Sequence, residues 1–271
     1  MNSLTHFKSD QGKREIFKYY DLRLNKIAGS YEKIRLDTKC GKTFALAAGD
    51  KRAFPIVLLH GRGINASMWV EDIARLSKSY RVYAPDMPGQ PGRSEDRFFS
   101  FSSEDYVEWL FDATSLLEID EMIIAGESIG GWLAAKFAMK RPKNVRKLIL
   151  VAPHGFVRRK KSVAAMQAVT RAAKDATAKF FMDNPRRQPM EDCLLAICRN
   201  YYESNEQVPI FKDGDLRKLT MPCMVVVESS ESFSMLKRLD ALLPDLKFHA
   251  LQNYRRQPSG FCDEVMKFLD S

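Results

Sequence analysis

Residues 122–138, MIIAGESIGGWLAAKFA, restrict the fold more than any other stretch of the chain. The apolar run Met122 to Ala125 is too short for a free-standing helix and suits a buried strand. It runs straight into Gly126-Glu127-Ser128-Ile129-Gly130, and a helix-forming segment follows at once. A strand that passes through a tight glycine turn into a helix is the building unit of a parallel sheet covered by helices. The same turn holds a serine where a hydroxyl can project above the sheet edge, a position from which it can act as a nucleophile.

The rest of the chain repeats this alternation. KIRLDTK and KTFALAAG read as an opening antiparallel pair, PIVLLHG (Pro55 to Gly61) as a buried strand ending on a glycine turn, and RVYAPDMPG as the next strand. MWVEDIARLSKS and SEDYVEWLFDATSLLEI have helical spacing, and VRKLILVAPHG (Val145 to Gly155) is a further central strand. From Phe156 to Leu219 the pattern turns helical, basic and rich in Met and Ala, before alternation resumes with MPCMVVVESS and DLKFHALQNY and closes on the helix CDEVMKFLD. The implied architecture is α/β: a doubly wound, mostly parallel sheet formed by residues 30–155 and 220–271. Residues 156–219 form a helical cap insertion and residues 1–29 an amino-terminal extension.

Composition narrows the function. The chain of 271 residues can bury one large core. Nothing at its amino terminus resembles a signal peptide and no apolar run would span a bilayer, so a cytoplasmic protein without membrane association is expected. The five cysteines lack CxxC spacing and read as free thiols. Four histidines without a cysteine–histidine cluster argue against a metal site, and no cofactor motif is present. The net charge of +9 favours an anionic small-molecule ligand. Its densest run, Arg158 to Lys161, has no nucleic-acid-binding motif beside it and reads as a solvated face. The oligomeric state is not readable.

Three motifs, in order, resemble those of the α/β-hydrolase superfamily. LLHGRG (Leu58 to Gly63) is similar to the family's oxyanion loop, with Trp69 as the aromatic that often follows it. DMPGQPGRS (Asp86 to Ser94) resembles the Asp-x-x-Gly-x-Gly-x-Ser turn with one extra residue, and Gly126 to Gly130 matches the nucleophile elbow. The resemblance implies a serine hydrolase, carboxylesterase-like, acting on a small ester or acyl compound. It makes Ser128 the nucleophile and the backbone amides of Ile129 and Arg62 the oxyanion donors, with Gly61 and Trp69 beside the substrate. The Arg62 side chain would suit an anionic ligand group, or would form a surface salt bridge.

The triad departs from the family pattern. Aligning PCMVVVESSESF with the family's late strand puts the orienting acid on Glu231, while the histidine position after the last strand falls on Arg256. An arginine has no lone pair with which to accept the serine's proton. There it would pair with Glu231 and contact the ligand. His249 lies inside the last strand, His60 braces the oxyanion loop, and His6 belongs to a polar, exposed terminus. His154, in VAPHGF at the carboxyl end of the strand beside the elbow strand, is the candidate surrogate base. Three readings stay open: a hydrolase with a rewired, degenerate triad, a catalytically silent homologue that binds a ligand or partner, and a basic interaction module.

Overall fold

A computed structural model describes residues 5–27, 30–157, 189–227, 233–243, 246–250 and 258–271. Its sheet contains eight strands: β1 (Tyr31–Thr38), β2 (Gly41–Ala48), β3 (Pro55–Leu59), β4 (Arg81–Pro85), β5 (Met122–Glu127), β6 (Val145–Val151), β7 (Cys223–Val227) and β8 (Leu246–Ala250). Their order is β1-β2-β4-β3-β5-β6-β7-β8. The pairs β1–β2 and β2–β4 are antiparallel, and every pair from β4–β3 onward is parallel. The opening hairpin and the central strands lie where their apolar runs predict.

Helices cover both faces. They are α1 (Asp10–Leu24), α2 (Val70–Leu76), α3 (Asp105–Leu116), α4 (Ile129–Lys140), α5 (Pro189–Asn200), α6 (Asp213–Leu216), α7 (Phe233–Asp240) and α8 (Pro258–Asp270). Successive strand residues point to opposite faces, so the central strands need apolar side chains throughout. Val57, Leu59, Ile124, Leu148 and Leu150 join one core with Trp109, Trp132 and Phe137. Ile56, Leu58, Ile123, Ile149 and Val151 join the other with Trp69, Val70 and Phe268.

Between residues 5 and 27 the amino-terminal extension packs against the rest of the fold. Ser9 caps α1 by accepting a hydrogen bond from the Gly12 amide, and Ile16 and Phe7 join Ile64, Cys193, Ala196 and Tyr201 in a third cluster. Gly12 allows α1 to approach α5 closely, since a Cβ there would lie 2.6 Å from Asn200 Oδ1. His6 departs from expectation. It is half-buried, stacks on Tyr201 and pairs through Nδ1 with Asp96 at 2.9 Å, because Thr5 and the His6 amide also donate to Asp96 and hold this stretch against the loop after β4.

Strand order reverses between β3 and β5, which lie side by side while their helices leave on opposite faces. Such a switch point opens a crevice at the carboxyl ends of the strands. The loops after β3, β5 and β6 all emerge there.

Candidate active site

At the end of β5 the backbone makes a turn that only particular residues permit. Ser128 sits at φ 55°, ψ −115°, a sparsely populated conformation for a residue bearing a Cβ. The turn survives because its neighbours have no side chains. A Cβ on Gly126 would lie 2.3 Å from the Gly130 carbonyl oxygen, and one on Gly130 would lie 2.3 Å from that of Leu59. The Ser128 amide donates to Val151 O at 2.9 Å, which ties the turn to β6.

The next turn, after β6, is built against the first. The His154 amide donates to Ser128 O at 3.1 Å, and Gly131 leaves room for the Pro153 ring. Ala152 and Gly155 both have positive φ, 41° and 84°, and the Gly155 carbonyl accepts from the Phe211 amide. A Cβ on Gly155 would lie 2.4 Å from Trp132 Cδ1. These restraints bring His154 Nε2 to 3.4 Å from Ser128 Oγ. That is long for a hydrogen bond, but such pairs are often loose until a ligand closes over them.

α4 starts at Ile129, so its positive dipole end adjoins Ser128. Among the described residues neither the Ile129 amide nor the Arg62 amide has a hydrogen-bond acceptor. The Gly61 amide is directed to Met68 Sδ at 3.5 Å, and a Cβ on Gly61 would lie 3.5 Å from Ser128 Cβ, so the loop after β3 runs beside the serine.

That loop is held from below by buried polar groups. His60 Nδ1 donates to Gly61 O at 2.9 Å, and His60 Nε2 accepts from the Met87 amide at 2.8 Å. Both ring nitrogens are thereby engaged in the neutral form, and burial pulls the imidazole down to about 4. Asp86 accepts from the amides of Ala66 and Arg93, both at 2.7 Å, and from the Tyr20 hydroxyl at 3.3 Å. Burial pushes its carboxyl up to about 6 against those donors. The Asp86-to-Ser94 turn reaches back as well, with Gln90 Oε1 accepting from the Gly63 amide and Pro91 O from Asn65 Nδ2, both at 2.9 Å.

A cavity of about 310 Å³ opens in front of Ser128. Gly61, Arg62, Trp69, Met190 and Ser128 line it, as do Ile64, Met68 and Leu194. The Arg62 side chain has a different fate from either expectation. Its guanidinium donates to the carbonyls of Ser204 (2.7 Å) and Glu206 (2.8 Å) and lies over the Phe101 ring, so it clamps the loop after α5. Tyr201 is buried and donates to Gly89 O at 2.8 Å, whereas Tyr202 is exposed and cannot line the cavity. Glu231, Arg256 and Arg158 to Lys161 lie outside the described residues, as do Met166, Phe180, Phe181 and Met182, whose apolar side chains in the insertion are candidates from the sequence for lining the cavity or for packing within the cap.

Three cavity residues carry no motif and escape a reading of the sequence. Arg23 of α1 is buried, donating from Nε to Ser67 O and from Nη2 to Glu71 Oε2, both at 2.8 Å. Asp72 accepts from Cys262 Sγ at 3.0 Å, and burial pushes its carboxyl up to about 7. Glu71 completes the group. The only sequence signal for these contacts is a charged residue at an inward position of an amphipathic helix.

Comparison with known proteins agrees with this fold. The family model described as the alpha/beta hydrolase fold matches residues 55–185. The chain has the α/β-hydrolase fold. Along most of its length it is similar to two proteins of Bacillus subtilis. One, named carboxylesterase nap, is 25% identical, with 87% of this chain and 86% of the relative covered. The other, carboxylesterase YbfK, is 23% identical, with 93% of each covered. The crystal structure of the naproxen esterase of B. subtilis superposes with a TM-score of 0.84 over 96% of this chain and 99% of that one, at 24% identity. A shorter stretch, 39% of the chain, is 40% identical to 31% of the rat 1-acylglycerol-3-phosphate O-acyltransferase ABHD5. The full-length relatives support a hydrolase. Among the described residues no helix is long and apolar enough to cross a membrane.

Proposed function

We propose that the protein is a carboxylic ester hydrolase in which Ser128 is the nucleophile and His154 the general base, with a small, uncharged ester as substrate. The observation that carries this reading is the 3.4 Å approach of His154 Nε2 to Ser128 Oγ at the head of a cavity. Two carboxylesterase relatives covering most of the chain support it. Arg62 is occupied by backbone carbonyls, which favours an uncharged substrate over an anionic one.

In the first half-reaction His154 takes the Ser128 proton as Oγ attacks the ester carbonyl carbon. The negative oxygen of the tetrahedral intermediate accepts from the amides of Ile129 and Arg62, and the amino end of α4 lowers its energy further. Collapse breaks the bond to the alcohol, which leaves with the proton carried by His154, and an acyl-serine remains. Water then attacks that acyl group, giving its proton to His154, and the second collapse returns the proton to Ser128 as the acid departs. In this proposal Glu231 orients the base, and Arg256 pairs with Glu231 and contacts the substrate. From the cap insertion, Met190 and Leu194 contribute to the cavity lining.

A fluorophosphonate probe tests the assignment. Rapid labelling at Ser128, abolished by Ser128→Ala and slowed strongly by His154→Ala, is the expected result. A folded chain that takes no label under any condition instead supports a silent, ligand-binding homologue.

A further inference from the structure

The mechanism uses one part of the cavity wall. A second polar group lining the same cavity consists of Arg23, Glu71 and Asp72, supplied by α1 and α2. Ile64, Met68, Trp69 and Leu194 give the same cavity an apolar lining.

Arg23 stands out within this group. Its side chain is 2% exposed, and an arginine is rarely buried so fully without partners for its donors. Nε and Nη2 have acceptors in Ser67 O and Glu71. Nη1, with two further N–H bonds, has no acceptor among the described residues, although the residue lines the cavity. The guanidinium is held at two of its three nitrogens by groups from the helical turn Ala66–Trp69 and from α2, so it is rigid before any ligand arrives.

Charge decides what it can receive. Glu71 neutralises Arg23 at 2.8 Å, and Asp72 is the next residue along the same helix. An anion entering here would meet one compensated cation and two carboxyl groups. A neutral oxygen acceptor meets a strong, oriented donor and no net repulsion.

We propose that Arg23 is a substrate-anchoring residue that binds a neutral carbonyl oxygen carried on the substrate at a distance from its scissile ester, so that oxo-esters are preferred over plain alkyl esters. The inference rests on the hydrolase reading for its chemistry, but the binding step is separable from turnover.

The test uses methyl alkanoates of four to eight carbons and their oxo counterparts, each with a ketone near the chain end. Affinity is measured by calorimetry on the full chain carrying Ser128→Ala. At one or two chain lengths the ketone should tighten binding about tenfold, the size of one hydrogen bond to a charged donor. Adding Arg23→Met should remove that preference while leaving the alkyl esters nearly unchanged. Because Arg23 also holds α1 in place, Glu71→Gln serves as a second variant at a half-exposed site. It leaves the arginine charge uncompensated and should turn the preference toward esters ending in a carboxylate.

Equal binding of ketone and alkyl probes at every length, binding of neither, or a ketone preference that survives Arg23→Met overturns the proposal. So does a carboxylate preference in the chain with Glu71 intact. Ketone selectivity in the Ser128→Ala chain, with no labelling or turnover by the wild type, upholds Arg23 and overturns the hydrolase reading. Turnover without ketone selectivity does the reverse.

Discussion

Asp72 makes stability depend on pH in a direction opposite to that of most carboxylates, and Asp72→Asn isolates the effect. Burial between α2 and α8 pushes this carboxyl from about 3.8 to about 7, despite the hydrogen bond from Cys262. From about pH 4 to about pH 7 the folded chain keeps a proton that the unfolded chain has lost. The unfolded state therefore binds fewer protons, and the stability supplied by this group falls as pH rises through that window. A displacement of this size corresponds to about 4 kcal/mol, fully present below pH 4 and fully lost above pH 7. The asparagine amide cannot ionise and keeps an oxygen for the Cys262 thiol. Urea unfolding of wild type and variant at intervals from pH 4 to 8.5 gives the difference in stability at each pH, and other titrating groups cancel in that difference. Relative to wild type, the Asp72→Asn chain should gain up to about 4 kcal/mol between the two ends. A difference that stays constant with pH, or that moves the other way, refutes the reasoning.

His60 should produce the opposite slope. Its imidazole is held down at about 4 against an ordinary 6.5, so the stability it confers is present above pH 6.5 and is lost as pH falls toward 4, by about 3 kcal/mol. The advantage of wild type over His60→Asn in the same unfolding series should shrink by that amount on acidification. Backbone strain at the elbow gives another expectation. Ser128→Gly removes the conformational penalty at φ 55°, whereas Ser128→Ala keeps it. The glycine variant should be the more stable of the two by about 1 kcal/mol after its own entropy cost, a rise in melting temperature of about 2–4 °C by calorimetry.

Where contacts are local, the sequence discloses them. The elbow is readable because Gly126, Ser128 and Gly130 fall within five residues and their spacing follows from atoms that would otherwise collide. Each central strand is readable because both sheet faces are buried, which demands unbroken apolar runs. His154 is readable as a neighbour of Ser128 because β5 and β6 are adjacent and both turns leave the same sheet edge. Contacts closed over long separations are not. The acceptors of Arg62 lie 142 and 144 residues onward, and the partners of Arg23 lie 44 and 48 residues away on elements with no shared motif. The half-burial of His6 escapes for the same reason, since Asp96 is 90 residues distant. Nothing in a polar amino-terminal sequence marks α1 as part of the cavity wall.

The central claim is that His154 draws the proton from Ser128, and first-turnover kinetics address it most directly. Release of 4-nitrophenol from 4-nitrophenyl acetate in a stopped-flow instrument reports acylation alone. The account predicts a wild-type rate that rises with pH as the base loses its proton. His154→Ala should lower that rate by about 10²–10⁴-fold and flatten its rise with pH, and Ser128→Ala should abolish the phase. A His154→Ala chain that acylates at the wild-type rate with the same pH profile contradicts it.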